Sequence, residues 1–395
     1  MSENKTSRVN QIKRPLPVWA DVFLIPLINI LFALFVAGII IFLIGENPFD
    51  AFKIMITGAF GYDEAIGYTL YYTTNFIFTG LAVAIAFHTN LFNIGGEGQA
   101  YIGGLGVAIV LLTLDSYLPF WLLLPLAILA AAVFGALWVA IPAYLQAYRG
   151  SHIVITTIMF NFIAANLMVY LLVNIFIVPG SMSPESRTFS ESAHLPFMHE
   201  VFAWFGITIT DTPLNISIFI ALICCVLMWL FIWHTRWGYA IRTVGFSESA
   251  AAYAGINSKR TIMMAMGISG ALAGMVGLNE IMGVHHKLLL NFVAGYGFTG
   301  IAVALMGRNH PFGIIIASLL FGTLYQGGAE LAFEIPAITR EMVVAIQGLI
   351  ILFCGALTYM SKPWLEKVFH IFYRSEPIGI QVTTENAAKK DHNHG

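Results

Sequence analysis

Long apolar runs alternate with short polar stretches along the chain. Ten runs stand out, over residues 22–45, 68–87, 95–112, 118–145, 153–178, 214–233, 261–279, 292–307, 311–328 and 342–360. Crossing a bilayer takes about 20 mostly apolar residues. In lipid the backbone must satisfy its own hydrogen bonds, so runs of this length are helices. The pattern predicts an all-α integral membrane protein with about ten transmembrane helices. The first run follows Lys5, Arg8, Lys13 and Arg14, as a signal peptide would. It is too long for a cleaved signal and lacks a small-residue cleavage site, so it reads as the first span.

Lys and Arg favour the cytoplasmic side of a membrane protein. With the N-terminus inside, ten spans put 15 basic residues in cytoplasmic segments and 4 outside: Lys53, Arg187, Lys287 and Arg340. Both termini are therefore predicted to be cytoplasmic. The domain plan is a cytoplasmic segment at 1–20, a transmembrane domain at 21–360 and a cytoplasmic tail at 361–395. Within the domain, 179–213 is an external loop, with Glu185, Glu191, Glu200 and Asp211 against Arg187. The longest internal loop is 235–260, with four basic residues and Glu248.

Composition agrees. The 395 residues are 58% hydrophobic and 10% charged, whereas about 25% of a soluble domain is charged. Lipid must be the solvent for the remaining surface. The net charge of −2 does not favour nucleic acid. Cys224, Cys225 and Cys354 all lie in apolar runs, without disulfide or metal spacing. The tail histidines His392 and His394 read as part of a solvated segment. No metal site and no bound cofactor are expected.

Ten spans make two fives, and an odd number per half would give inverted halves. The third and eighth spans occupy corresponding positions and are the most glycine-interrupted. Gly95, Gly96, Gly98, Gly103, Gly104 and Gly106 mark one; Gly295, Gly297, Gly300 and Gly307 mark the other. Paired broken helices point to a translocation pathway; close packing through small residues is the alternative.

Four constellations carry candidate chemistry. In the first, Asn93, Glu97 and Gln99 sit among glycines at the start of the third span. An intramembrane acid is costly unless paired or wetted, which suits a pathway. A cap at Asn93 with Glu97 in the first helical turn explains the same residues. In the second, Thr157 and Asn161 lie four apart and share a helix face. They bond a neighbouring helix or face water. The third is a cytoplasmic stretch at 245–255 that includes Gly245, Phe246, Ser247, Ala251, Ala252 and Gly255. Ser247 can cap a short Ala-rich helix ended by Gly255. Such a helix fits a groove on a partner protein; a plain connector is the alternative. Few large apolar side chains are expected to anchor it. The fourth runs from Gly295 through Phe298 to Pro311, a helix, a turn at Arg308, Asn309 and His310, and a proline that opens the next helix. No G-x-x-x-x-G-K-[ST] loop, H-E-x-x-H or G-x-S-x-G motif is present, so the chain is not expected to be an enzyme. Glu97 and Glu280 are its few buried acids.

Together the run from Asn93 to Gln99, the Ile155-Thr156-Thr157 run with Asn161, the 245–255 loop and the segment from Gly295 to Pro311 resemble bacterial ABC importer permeases. The class is that for branched-chain amino acids and simple sugars, and the nucleoside branch with its basic-membrane-protein-type lipoprotein is most similar. The resemblance covers residues 20–360. At Ser151-His152 the chain departs from the Asn-Glu of many relatives. The resemblance implies a multi-pass permease of the bacterial cytoplasmic membrane that moves a small polar solute, a nucleoside first and a simple sugar next. It implies a separate ABC ATPase subunit, a second and different permease chain, and an external lipoprotein that delivers the solute. It carries ATPase coupling onto Gly245, Phe246, Ser247, Ala251, Ala252 and Gly255. Asn93, Glu97, Gln99, Thr157, Asn161 and Phe298 are the pathway candidates. An ion-coupled carrier is the rival reading, disfavoured by the scarcity of buried acids.

Overall fold

A computed structural model describes residues 24–350 and 352–353. The predicted segment 1–20, the tail 361–395, Cys354 and the far end of the last apolar run lie outside the described residues. Those residues form thirteen named helices and connecting loops. In chain order the first are α1 (Ile25–Ile44), α2 (Pro48–Phe60), α3 (Asp63–Phe87), α4 (Gly96–Leu114) and α5 (Phe120–Arg149). Next come α6 (Ile153–Leu171), α7 (Met198–Ala203), α8 (Ser217–His234), α9 (Arg236–Phe246) and α10 (Glu248–Tyr253). The last are α11 (Ser258–Gly274), α12 (Tyr296–Met306) and α13 (Pro311–Glu334). A further helical stretch covers 340–350. π-Helices follow α6 at Leu172–Phe176 and α11 at Leu278–His285.

Among the described residues eight helices are long and apolar enough to cross a membrane: α1, α3, α4, α5, α6, α8, α11 and α13, with α6 and α11 extended by their π segments. The chain is thus an all-helical, multi-pass membrane protein. The eighth expected span differs from expectation. Only the 11 residues of α12 are helical there, about 16 Å of rise and half of a ~30 Å hydrocarbon core. The residues before it turn instead, with Asn291, Ala294 and Gly295 at positive φ. α2 was not expected: it is a 13-residue helix that Asn47 caps by accepting from Phe49 N at 3.0 Å.

The helices pack crosswise. α3 lies against α12 and α13, while α11 lies against α4 and α5. Small residues make this possible. A Cβ at Gly103 or Gly135 would strike the backbone of Gly274 or Gly270. α3 is buried along most of its length, whereas Trp121, Leu137, Phe162 and Ile223 on outer helices stay exposed. Such an apolar rim suits lipid contact.

Outside the bundle, one loop is tied down. Arg187 grips Asp115 through two oxygens, at 2.8 Å and 2.9 Å. Asp115 also accepts from Ser190 N at 2.9 Å. The guanidinium bond holds the Asp115 carboxyl well below the usual carboxylate range. Further along, Ser186 N donates to Leu288 O at 2.9 Å, Phe189 N to His286 O at 2.8 Å and Leu195 N to Met282 O at 3.1 Å. The loop therefore lies as a strap over the end of the second π-helix and the turn that leads into α12.

Candidate functional site

The N-terminus of α4, which runs unbroken for 19 residues against the expectation of a paired break, meets that of the short α12. Gly96, at the start of α4, lies against Gly297 in the first turn of α12, and a Cβ at Gly297 would collide with Glu97 N. Only glycine allows the two backbones to approach so closely. At this junction Glu97 turns away from its own helix. Its two carboxylate oxygens accept from Gly295 N and Gly297 N, at 2.9 Å each. A helix leaves its first N–H groups unsatisfied, and those of α12 are met by a carboxylate from another helix. The positive end of the helix dipole favours the same charge. Neither reading of Glu97 taken from the sequence included this bond.

The segment before α4 is extended, and side chains hold it. Asn93 accepts from Gly95 N at 2.9 Å and donates to Gln99 Oε1 at 3.1 Å and to Ser269 Oγ on α11 at 2.8 Å. Gln99 returns a bond to Asn93 Oδ1 at 3.1 Å. Ser269 in turn donates to Ala82 O on α3 at 2.5 Å. The N-cap of α4 is Gly95, without a side-chain bond, so Asn93 makes a turn ahead of the helix rather than the expected cap. On α6, Asn161 donates to Ile94 O at 2.9 Å and accepts from Gly98 N at 2.9 Å. Thr157 donates to Ile153 O in its own helix at 2.8 Å. Asn93, Glu97, Gln99 and Asn161 thus spend their polar atoms on the junction. Phe298 stands apart, half exposed on α12.

A second polar cluster escaped the sequence reading, although Glu280 was noticed as a buried acid. It centres on the π-helix at Leu278–His285, and such distortions recur at functional sites. Glu280 accepts from the Tyr71 hydroxyl at 2.7 Å and from Asn75 Nδ2 at 2.5 Å. His285 Nε2 lies 3.4 Å from its other oxygen. Asn279 accepts from Asn215 at 2.9 Å and Ser217 at 2.8 Å, and donates to Asn75 Oδ1 at 2.9 Å. Between Glu97 and Glu280 lies a group of rings: Tyr72, Phe76, Tyr296 and Tyr325, with neighbouring centroids 4.9–6.4 Å apart. The available signals were the polar Asn75 and Asn279 inside apolar runs and the tyrosines four apart at Tyr68 and Tyr72.

On the opposite side of the molecule, Ser247 caps α10 by accepting from Ala250 N at 3.2 Å, and Gly255 follows it at φ +76°. The helix is short, as expected, but its flanks are not small. Phe246 and Tyr253 are 92% and 97% exposed. Ala251 is buried and Ala252 is exposed. Gly245 packs on the backbone of His88 at the end of α3. His88 Nε2 lies 3.1 Å from Asn309 O, in the turn after α12. Among the described residues no three His, Cys, Asp or Glu side chains gather as metal ligands.

These features can be compared with known proteins. Residues 65–355 match the model of a family described as the branched-chain amino acid transport system permease component. The guanosine ABC transporter permease protein NupP of Bacillus subtilis is 37% identical over 339 residues, 84% of this chain and 93% of the relative. The nucleoside ABC transporter permease protein NupB of Lactococcus lactis is 34% identical, over 87% of this chain and 93% of its own length. The glucose ABC transporter permease protein TsgB13 of Haloferax volcanii is 33% identical, over 86% and 89%. With family and relatives matched along most of its length, the chain belongs to the branched-chain amino acid transport system permease family.

Proposed function

We propose that this chain imports nucleosides across the bacterial cytoplasmic membrane as one permease of an ATP-driven transporter. The observation that carries the reading is the half-length α12, preceded by irregular backbone within an apolar run of spanning length. Non-helical backbone is tolerated there only when buried in protein or lining a watery cavity, and half-helices mark transporter pathways. The names of the guanosine and nucleoside relatives support the cargo. The pathway would run past Asn93, Glu97, Gln99, Thr157, Asn161 and Phe298. Asn93, Glu97, Gln99 and Asn161 set the shape of the junction between α4 and α12, Thr157 lies beside Gly95, and Phe298 faces the solute.

In this reading the chain has ten spans with both termini in the cytoplasm. The segment 1–20 and the tail 361–395 flank a transmembrane domain at 21–360. The crosswise packing of α3 on α12 and α13, and of α11 on α4 and α5, supports two inverted halves. The loop 235–260 meets a separate ATPase subunit through Gly245, Phe246, Ser247, Ala251, Ala252 and Gly255. An external lipoprotein delivers the solute, and a second, different permease completes the pore.

The test is uptake of radiolabelled guanosine, adenosine, uridine and cytidine at low external concentration in a strain lacking this chain. Loss of one or more, restored by the chain on a plasmid, is expected. The glucose relative favours a simple sugar as the second reading. Intact nucleoside uptake with loss of a sugar would select it.

A further inference from the structure

The ring group between the two buried acids has a feature that a plain aromatic core lacks. Phe76 and Tyr296 are buried, but Tyr72 and Tyr325 are only half buried. Both sit near the middle of their helices: Tyr72 is tenth of the 25 residues of α3, and Tyr325 fifteenth of the 24 of α13. A tyrosine half exposed at mid-membrane would hold its hydroxyl in hydrocarbon if that face met lipid, at the cost of an unmet polar group. Thr299 meets the Tyr325 hydroxyl, so it is the exposed side of Tyr72 that must face water or a polar surface. Tyr68 lies one turn along α3 on the same face, also half buried. The rings have polar edges as well. The Tyr325 hydroxyl and Thr299 Oγ1 are 3.0 Å apart, and Tyr71, beside Tyr72 at 5.0 Å, is anchored by Glu280.

We propose that the half-buried faces of Tyr72 and Tyr325, backed by Tyr296 and Phe76, form a stacking surface for the base of a nucleoside on its way through the membrane. The inference rests on the nucleoside reading and adds to it a contact surface for one part of the solute. A base offers a flat π-face to a ring, and such stacking tolerates any base. Thr299 and the Tyr325 hydroxyl can bond the heteroatoms of its edge. The centroids of Tyr72 and Tyr325 are 5.7 Å apart and their planes are tilted by 52°. Their exposed sides thus present one surface for a single ring rather than a slot around it. Glu280, Asn75 and Asn279 hold α3 and the π-helix together and position the rings without touching the solute.

The experiment uses the assembled transporter in membranes, with 8-azidoguanosine as a photoprobe and peptide mapping of this chain. Adducts are expected on peptides that contain Tyr72 or Tyr325, suppressed by excess guanosine and not by ribose. In parallel, uptake is measured at saturating guanosine, so that delivery by the binding protein is not limiting. Tyr72→Leu and Tyr325→Leu should slow it roughly ten-fold at equal membrane abundance, within the range stacking commonly provides. Tyr72→Phe, which keeps the ring, should stay within about two-fold of the parent, and Tyr325→Phe, which loses only the hydroxyl, should fall between the parent and Tyr325→Leu. A purely structural role predicts no ribose-insensitive, guanosine-sensitive labelling at these rings. Labelling confined to other segments, or Leu variants that transport guanosine at the parent rate, would overturn the stacking surface while leaving nucleoside import intact. Absence of any nucleoside uptake by the unaltered chain would instead remove the reading on which it rests.

Discussion

Glu97 serves two amides that belong to another helix, and that changes what its removal should do. If the residue only complemented the dipole of α4, neutralising it would cost about 0.3–1 kcal/mol. In the structure both oxygens accept backbone N–H groups of the segment that opens α12. A glutamine keeps one acceptor and sets its amide hydrogens against the other N–H. An unmet buried donor costs about 1–3 kcal/mol. Glu97→Gln is therefore expected to lower the thermal unfolding midpoint of the purified permease as well as transport. Transport loss with an unchanged midpoint would return Glu97 to a purely solute-facing role. The glycines around Glu97 made a close helix contact legible in the sequence, although α4 itself runs unbroken from Gly96 to Leu114. The partner of Glu97 was not, because Gly295 lies 198 positions away and carries no side chain to signal the contact.

A second residue-scale expectation concerns the strap over the end of the second π-helix. His286 stacks on His194, with ring centroids 3.7 Å apart, and packs edge-on against Phe197. Burial, with His194 and His285 nearby, pushes its imidazole down to about 4 against a carbonyl bond from Met282 that favours the charge. The unfolded value is about 6.5. The folded strap thus prefers the neutral ring, and its attachment is complete above pH 6.5 and weakens as pH falls from there towards 4. Cysteines at buried Ser186 and exposed Met182, in a background without the native three, report this. The ratio of Ser186→Cys to Met182→Cys labelling should rise between pH 7.5 and 5.5, and His286→Phe should abolish the rise.

At the scale of helices, close approach and docking decide the outcome. Gly297 leaves no room for a methyl group against Glu97 N, whereas Gly267 on α11 has open space. Gly297→Ala should destabilise the junction by about 1–3 kcal/mol, the usual cost of overpacking. Gly267→Ala should be neutral or stabilising by up to about 1 kcal/mol, since alanine restricts the unfolded chain. Comparing the two midpoints in detergent checks this; equal behaviour would mean that the α4–α12 contact yields easily. The short helix α10 was legible because serine, alanine and glycine occupy the positions that start, fill and end a helix. Which side faced outward was not legible, because a six-residue helix has too few positions for a hydrophobic stripe. Ala251 faces the protein and Ala252 faces out. Ala252→Arg or Tyr253→Asp should therefore release the ATPase in pull-downs while the chain still inserts. Ala251→Arg should disturb folding first and is no test of docking. Retention of the ATPase by both outward variants would leave α10 a connector.

Across the whole molecule, apolar run length identified nearly every spanning helix, because lipid demands the same property of each. It misjudged the run at 292–307, where apolar residues belong partly to a turn. There the backbone bends because Asn291 and Gly295 are at ease with positive φ. Hydropathy reports the surroundings of a segment, not its conformation. Orientation depends on a different signal, the excess of Lys and Arg on one side, and so deserves its own test. The strap at Met182 and the helix ends at Phe246 and Tyr253 offer highly exposed positions. Under the proposed topology they lie on opposite sides, separated by α8. With the native cysteines removed, Met182→Cys should react with a membrane-impermeant maleimide in intact spheroplasts. Tyr253→Cys should react only after lysis, because an odd number of crossings separates the two. Reaction of Tyr253→Cys from outside would invert the molecule and put α10 out of reach of any cytoplasmic ATPase. Reaction of both from one side would mean that α8 does not cross. The expected pattern, one side each, is the one that lets the strap meet a delivered solute while α10 meets the ATPase. His88, which packs on Gly245 and contacts Asn309 after α12, ties the residue before α10 to the turn between α12 and α13.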